Sequence, residues 1–161
     1  MSFLLRRLSL VLFALVSLFL IWFGATYASV KDMLWFHAAA VPLSIRDEVK
    51  PLYFALMTLI GGASTALGIL GLYTVAAPLR RRTPGAASAL ATTNTIAFGM
   101  AAVTAEKLAA ATGSPTSWHL MGIGLAITLL AYAAHGVSVQ LSQAPLDRGR
   151  LADQRGGTPT A

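Results

Sequence analysis

Residues Leu52–Ala77 read LYFALMTLIGGASTALGILGLYTVAA, an uninterrupted stretch with no charged side chain. A helix that crosses the hydrocarbon of a bilayer needs about 20 mostly apolar residues at 1.5 Å each, and this stretch exceeds that. Along it Gly61, Ser64, Gly68 and Gly71 recur at spacings of three and four, flanked by Thr65. Small residues at that period line one face of a helix. In lipid they let another backbone come close, because packing and weak hydrogen bonds, not hydrophobic burial, drive association there. We therefore read Gly61, Ser64, Gly68 and Gly71 as a helix-packing stripe. The functional alternatives are a homo-oligomer face or a backbone-lined groove for a ligand.

Three further stretches qualify as spans: Leu8–Ala28 (LSLVLFALVSLFLIWFGATYA), Ala86–Ala105 (AASALATTNTIAFGMAAVTA) and Trp118–Val139 (WHLMGIGLAITLLAYAAHGVSV). The first follows Arg6 and Arg7 and ends in small residues, as a secretory signal peptide does. Its apolar run Leu8–Phe23 is longer than the roughly 7–15 residues of such a peptide, which favours an uncleaved span. The third holds Ser88, Thr92, Thr93, Asn94, Thr95 and Thr104, so hydropathy points to an interior helix covered by its greasier neighbours. The expectation is an all-α, four-helix transmembrane bundle forming one domain over residues 1–145. A polar tail over 146–161 is expected to be disordered, for it holds too little apolar surface to order itself.

Across 161 residues the chain is 56% hydrophobic and 11% charged, against roughly 25% charged in an average globular domain. It has no cysteine, which excludes disulfides, zinc-thiolate sites, iron–sulfur clusters and thiol nucleophiles. Twelve Lys and Arg oppose six Asp and Glu, and they are unevenly placed. Arg6, Arg7, Arg80, Arg81, Arg82, Arg148, Arg150 and Arg155 fall on one side of the four spans. Lys31, Arg46, Lys50 and Lys107 fall on the other, balanced by Asp32, Asp47, Glu48 and Glu106. The positive-inside rule then puts both termini in the cytoplasm, and the net charge of +6 attracts anionic headgroups. Nucleic acid is not an expected partner, since the aromatic side chains lie in spans and not on a basic face.

The loop Ser29–Lys50 carries Met33, Leu34, Trp35 and Phe36, which belong at a membrane–water interface. A short interfacial helix over 30–40 is expected, ended by Pro42. Ser44 and Asp47 resemble a capping box for the next helix, and Pro51 either begins span two or kinks it one turn in.

Three sets of residues are candidates for function. Asn94, with Thr92 or Thr95, places amide and hydroxyl groups in hydrocarbon, where each must find a partner. The plain explanation is bonding back to the helix's own carbonyls; the functional one is a polar contact to a ligand held between spans two and three. His37, His119 and Glu106 map to one membrane surface with Trp35, Lys107 and Trp118. Two imidazoles and a carboxylate suit a metal or a proton pair, but they come from three segments with no local spacing, and no metal or other cofactor is assigned. His135 stands alone near the end of span four, with Tyr132 three residues before it. No catalytic motif is present: no His-Glu-x-x-His, no Gly-x-Ser-x-Gly and no phosphate-binding loop.

The segment Trp35-Phe36-His37-Ala38, followed by Leu56-Met57-Thr58-Leu59-Ile60-Gly61-Gly62, resembles small four-span bacterial inner-membrane proteins. In these an aromatic-His-Ala segment lies outside span two, and the span reads Leu-Met-x-x-Ile/Val-Gly-Gly. The resemblance covers residues 37–72, about a quarter of the chain. It implies an architecture and a location in the bacterial inner membrane, and no activity. The sequence thus favours a non-enzymatic accessory or partner-binding subunit, whose partners are the lipid bilayer and another membrane protein or a second copy. The alternatives are a carrier or sensor of a small apolar ligand between spans two and three, and a membrane enzyme acting on lipid or quinone.

The absence of cysteine makes topology directly testable. In single-cysteine variants His37→Cys and Arg81→Cys, an impermeant thiol reagent added outside intact cells should label position 37 and spare position 81. The reverse pattern overturns the assigned orientation.

Overall fold

The computed structural model describes the backbone of residues 1–156 and the side chains of residues 1–143. The described chain is helical, with no strand: α1 (Ser2–Ala28), α2 (Trp35–Ala38), a 3₁₀ turn Leu43–Ile45, α3 (Arg46–Thr74) running into a π-helical turn Val75–Leu79, α4 (Ala86–Thr112) and α5 (His119–Gly156). Four helices are long and apolar enough to cross a membrane. Side chains such as Leu18, Ile69 and Leu130 are exposed on the outside of the bundle, the face that a span offers to lipid. Helix α5 is continuous through residues 146–156, the first part of the segment expected to be disordered; residues 157–161 lie outside the described residues.

The elements end where local chemistry ends them. Pro78 has no N–H for the carbonyl of Thr74, and its ring crowds that carbonyl; there the α ladder gives way to the wider π turn. Helix α4 stops at Gly113, whose left-handed φ of 65° lets its N–H cap the carbonyl of Ala109. The interfacial helix forms, but only over the four residues Trp35–Ala38. The capping box does not: Ser44 lies inside the 3₁₀ turn that leads into α3, and the start of α3 carries no side-chain cap. Asp47 pairs instead with Lys50 at 2.7 Å, and Pro51 sits one turn in.

Helix α1 is the centre of the bundle. It packs against α3 on one side and α5 on the other, while α4 packs chiefly on α5. The α1–α3 contact is made backbone to backbone. A methyl group replacing the Gly61 hydrogen would lie 2.5 Å from the peptide nitrogen of Ala28 and 2.6 Å from the Gly24 carbonyl oxygen. At Gly68 it would lie 2.6 Å from the Ser17 carbonyl oxygen, and at Gly71 it would meet the Ser17 side chain. Ser17 itself is buried and donates to the Phe13 carbonyl at 2.8 Å. Around this contact two apolar clusters form, one on Phe13, Leu79, Leu90 and Ala131, the other on Val16, Leu20 and Phe98.

The third span is therefore not the interior helix that its polarity led us to expect. The buried residues of α4 are Ala86, Ala87, Leu90, Ala91, Asn94 and Phe98, all in its first half; from Gly99 to Thr112 none is buried. Apolar surface has no reason to seek the interior when the surroundings are equally apolar, so shape decides. The apolar α1 sits in the middle because α3 offers it glycine.

The paired glycines of α3 give a sharp test. Gly61→Ala and Gly68→Ala should lower stability by about 1–3 kcal/mol through overpacking, read as loss of Tm in detergent. Gly62→Ala, which faces open space, should cost nothing measurable.

Candidate functional sites

At the end where α1 finishes and α3 starts, His37 and Tyr53 meet. The Tyr53 hydroxyl lies 3.1 Å from His37 Nδ1, and the Leu34 N–H donates to the same oxygen at 3.2 Å. The Tyr53 hydroxyl thus serves both groups, accepting from the Leu34 N–H and sharing a hydrogen bond with the His37 ring. Phe36 packs edge-on to the His37 ring at 4.5 Å between centroids, and Tyr27 does so at 6.4 Å. Burial among these rings holds the His37 pKa below its usual value. Arg46, at the start of α3, donates to the carbonyls of Ala38 at 2.7 Å and Val41 at 3.1 Å, closing off α2. The loop is thus tied to α3 by Tyr53 and Arg46, neither of which stood out in the sequence.

The other two members of the predicted cluster sit apart from this pair. His119 stacks on Trp118, with centroids 4.5 Å apart and planes 18° apart, and bonds to Ser117 Oγ. Glu106 is exposed, and among the described residues the ion pairing is that of Lys50 with Asp47. No group of three or more His, Asp or Glu side chains converges among the described residues. His37, His119 and Glu106 therefore share one end of the bundle without making a centre.

Asn94, Thr92 and Thr95 are also separated. Asn94 faces the interior at 1% exposure, and its Nδ2 has no hydrogen-bond partner among the described residues. Residues one and two apart on a helix do not share a face, so Thr92 and Thr95 turn outward to a cleft between α4 and α5. The cleft holds about 260 Å³ and is lined by Ser88, Thr92, Thr95, Ile96, Leu129 and Tyr132. It is open to the bilayer, lies between spans three and four, and Asn94 is not part of its lining. The neighbouring hydroxyls behave as the plain explanation requires: Thr93 and Thr104 donate to the carbonyls of Ala89 and Met100. Tyr132, expected beside His135, is bonded across the helices to Ser88 at 3.2 Å. A smaller apolar hollow of about 110 Å³ lies between α1, α4 and α5, bounded by Phe19, Phe98 and Ile127.

The packing stripe has its place too. Gly61, Gly68 and Gly71 are buried against α1, and Ser64 is half-buried. The three glycines serve a contact within the chain.

At the opposite end, the Arg6 guanidinium donates to the Arg80 carbonyl, fixing the start of α1 to the α3–α4 loop. Arg80, Arg81 and Arg82 are exposed there. The two ends are therefore chemically unlike, aromatic and charge-balanced at one, arginine-rich at the other.

Comparison of the chain with protein-family models, with curated proteins and with solved structures finds no match.

The His37 arrangement carries a pH dependence with a fixed sign. A histidine whose folded pKa is lowered adds stability that is present above its unfolded value of about 6.5 and is lost as pH falls through the folded value. Thermal melting in detergent should show Tm falling as pH drops below 6.5. His37→Gln should flatten that profile, and Tyr53→Phe should cost about 1–3 kcal/mol at neutral pH by stranding the Leu34 N–H and His37. A wild-type profile that is flat from pH 7.5 to 5 refutes the assignment.

Proposed function

We propose that this chain is a multi-pass integral membrane protein with no catalytic centre of its own, acting as an accessory or partner-binding subunit. The observation that carries it is the outer half of α4. That helix has the lowest mean hydropathy of the four spans, 1.3 against 2.5 for α1, yet lies at the bundle's edge and has no buried residue from Gly99 onward. Met100 is 63% exposed, Val103 is 50% exposed, and Gly99 faces open space. A flank on which exposed apolar side chains adjoin a glycine suits the close approach of another transmembrane helix.

The orientation with both termini in the cytoplasm is supported by the gathering of Arg6, Arg7 and Arg80–Arg82 at one end. The likeness of residues 37–72 to small four-span proteins supports a bacterial inner membrane. A carrier or sensor stands second. It calls for a chamber of roughly 300 Å³ or more that encloses its ligand, reached by Asn94, whereas the α4–α5 cleft is open and smaller. An enzyme acting on lipid or quinone calls for polar groups that converge, and His37, His119 and Glu106 stay apart.

The test is in-membrane photo-crosslinking from position 100, with position 69 on the exposed face of α3 as control. We expect a protein adduct from position 100, lost in the Gly99→Leu background. Its mass tells a second copy from a different chain. Adducts to lipid alone from both positions overturn the reading.

A further inference from the structure

We propose that the α4–α5 cleft and the Arg80–Arg82 loop together hold one anionic phospholipid, its phosphate on the arginines and an acyl chain in the cleft. Three observations lie along one line. The first is charge. On this side of the spans the sequence places eight arginines (Arg6, Arg7, Arg80, Arg81, Arg82, Arg148, Arg150, Arg155) against two aspartates (Asp147, Asp153), while Asp32, Asp47, Glu48 and Glu106 belong to the other. The excess of positive charge at this end is therefore large. Arginine is the side chain best matched to phosphate, with planar forked donors.

The second is the loop's shape. Arg82 takes a left-handed φ of 60°, and its N–H donates to the Leu79 carbonyl while that of Thr83 donates to Pro78. The Arg6 side chain holds the Arg80 carbonyl from α1. The arginines are thus carried on a tied turn, which lowers the entropy lost when they gather round a headgroup.

The third is the cleft, which begins where the loop ends. Ser88 is the third residue of α4, so the mouth lies within one turn of the loop. From Ser88 to Ile96 the cleft runs eight residues, about 12 Å at 1.5 Å per residue. Its chemistry changes with depth: the Ser88–Tyr132 hydroxyl pair at the mouth, then Thr92 and Thr95, then Ile96 and Leu129. Thr92 and Thr95 have no hydrogen-bond partner among the described residues. A diacyl phospholipid is ordered the same way, with charge, ester oxygens and hydrocarbon in sequence. A zwitterionic lipid adds an ammonium that arginine repels, and a free phosphate leaves the cleft unused. The site needs residence in a bilayer but not the partner proposed for the outer half of α4, which lies at the opposite end, so either can fail alone.

Native mass spectrometry of the full chain in nonionic detergent tests this, with phosphatidylglycerol and phosphatidylcholine of identical acyl chains as probes. We expect one phosphatidylglycerol retained at least roughly tenfold over phosphatidylcholine. Arg80→Gln with Arg81→Gln should cut that retention about 25-fold, at roughly fivefold per arginine. Thr92→Phe, which fills the cleft and leaves the charge intact, should reduce retention of phosphatidylglycerol as well, and melting curves report whether each variant is folded. Inorganic phosphate at equal concentration should not displace the lipid. Equal retention of the two lipids, indifference to the double arginine variant, full retention by folded Thr92→Phe, or displacement by phosphate each overturns the proposal.

Discussion

The contact on which the rest of this bundle depends is the one between the backbones of α1 and α3. Gly24 meets Gly61 and Thr65, and the Ser17 carbonyl and Ile21 meet Gly68, so that the glycines leave no room for even a Cβ of their own. In hydrocarbon, two helices gain nothing by hiding apolar surface from a solvent that is itself apolar. They gain dispersion contacts when their surfaces fit. Gly24 on α1 and Gly61, Gly68 and Gly71 on α3 supply the fit, and the pair then acts as a rigid wall. The ends of the chain follow from it. With α1 and α3 fixed in register, the Arg6 side chain reaches the Arg80 carbonyl at one end. At the other, Tyr27 on α1 and Tyr53 on α3 both pack edge-on to His37.

That pairing also explains why α4 is left at the edge. The face of α3 that carries glycine is taken by α1, so α4 finds little contact with α3 and settles on α5. Phe98 bridges back to α1, lying 6.0 Å from Phe19 between ring centroids and over Gly124 of α5, whose missing Cβ makes room for it. Beyond Phe98 no residue of α4 is fully buried. A helix of 27 residues spans about 40 Å, some 10 Å more than the hydrocarbon is thick. Its last turns, with Glu106 and Lys107, therefore belong to the headgroup layer.

Much of this was legible in the sequence, and the part that was not has a physical pattern. Length and apolarity located the four spans, because a bilayer imposes a minimum of about 20 residues that few other environments demand. The spacing of Gly61, Gly68 and Gly71 marked a packing face, because only a close approach needs three small residues on one side. Hydropathy misplaced α4, since polarity ranks helices by their cost in lipid and says nothing about which shapes fit. It was equally silent on Tyr53. That residue lies in an apolar run and looks like an interfacial anchor, until the loop folds back and places His37 and Leu34 on its hydroxyl. Contacts of that kind join residues 16 and 19 apart, and no local period records them. The cleft escaped for a related reason: Ser88 and Tyr132 are 44 positions apart.

Asn94 shows how far residue type alone carries an inference. An amide in a span needs a partner, and the sequence grouped it with Thr92 and Thr95 as one polar site. The helix divides them, sending the amide inward and the two hydroxyls outward to the cleft. Leaving an amide donor unpaired costs about 1–3 kcal/mol by protein mutational measures, and more in hydrocarbon. The residues beside it, Ala91 and Leu90 a turn below and Phe98 a turn above, are apolar and buried. That cost is offset elsewhere, in contacts the bundle makes for other reasons: the α1–α3 wall and the Phe98 bridge hold α4 against the core whether or not Asn94 is satisfied. Its inward turn is thus fixed by its neighbours' shape, and the same rotation turns Thr92 and Thr95 to the lipid.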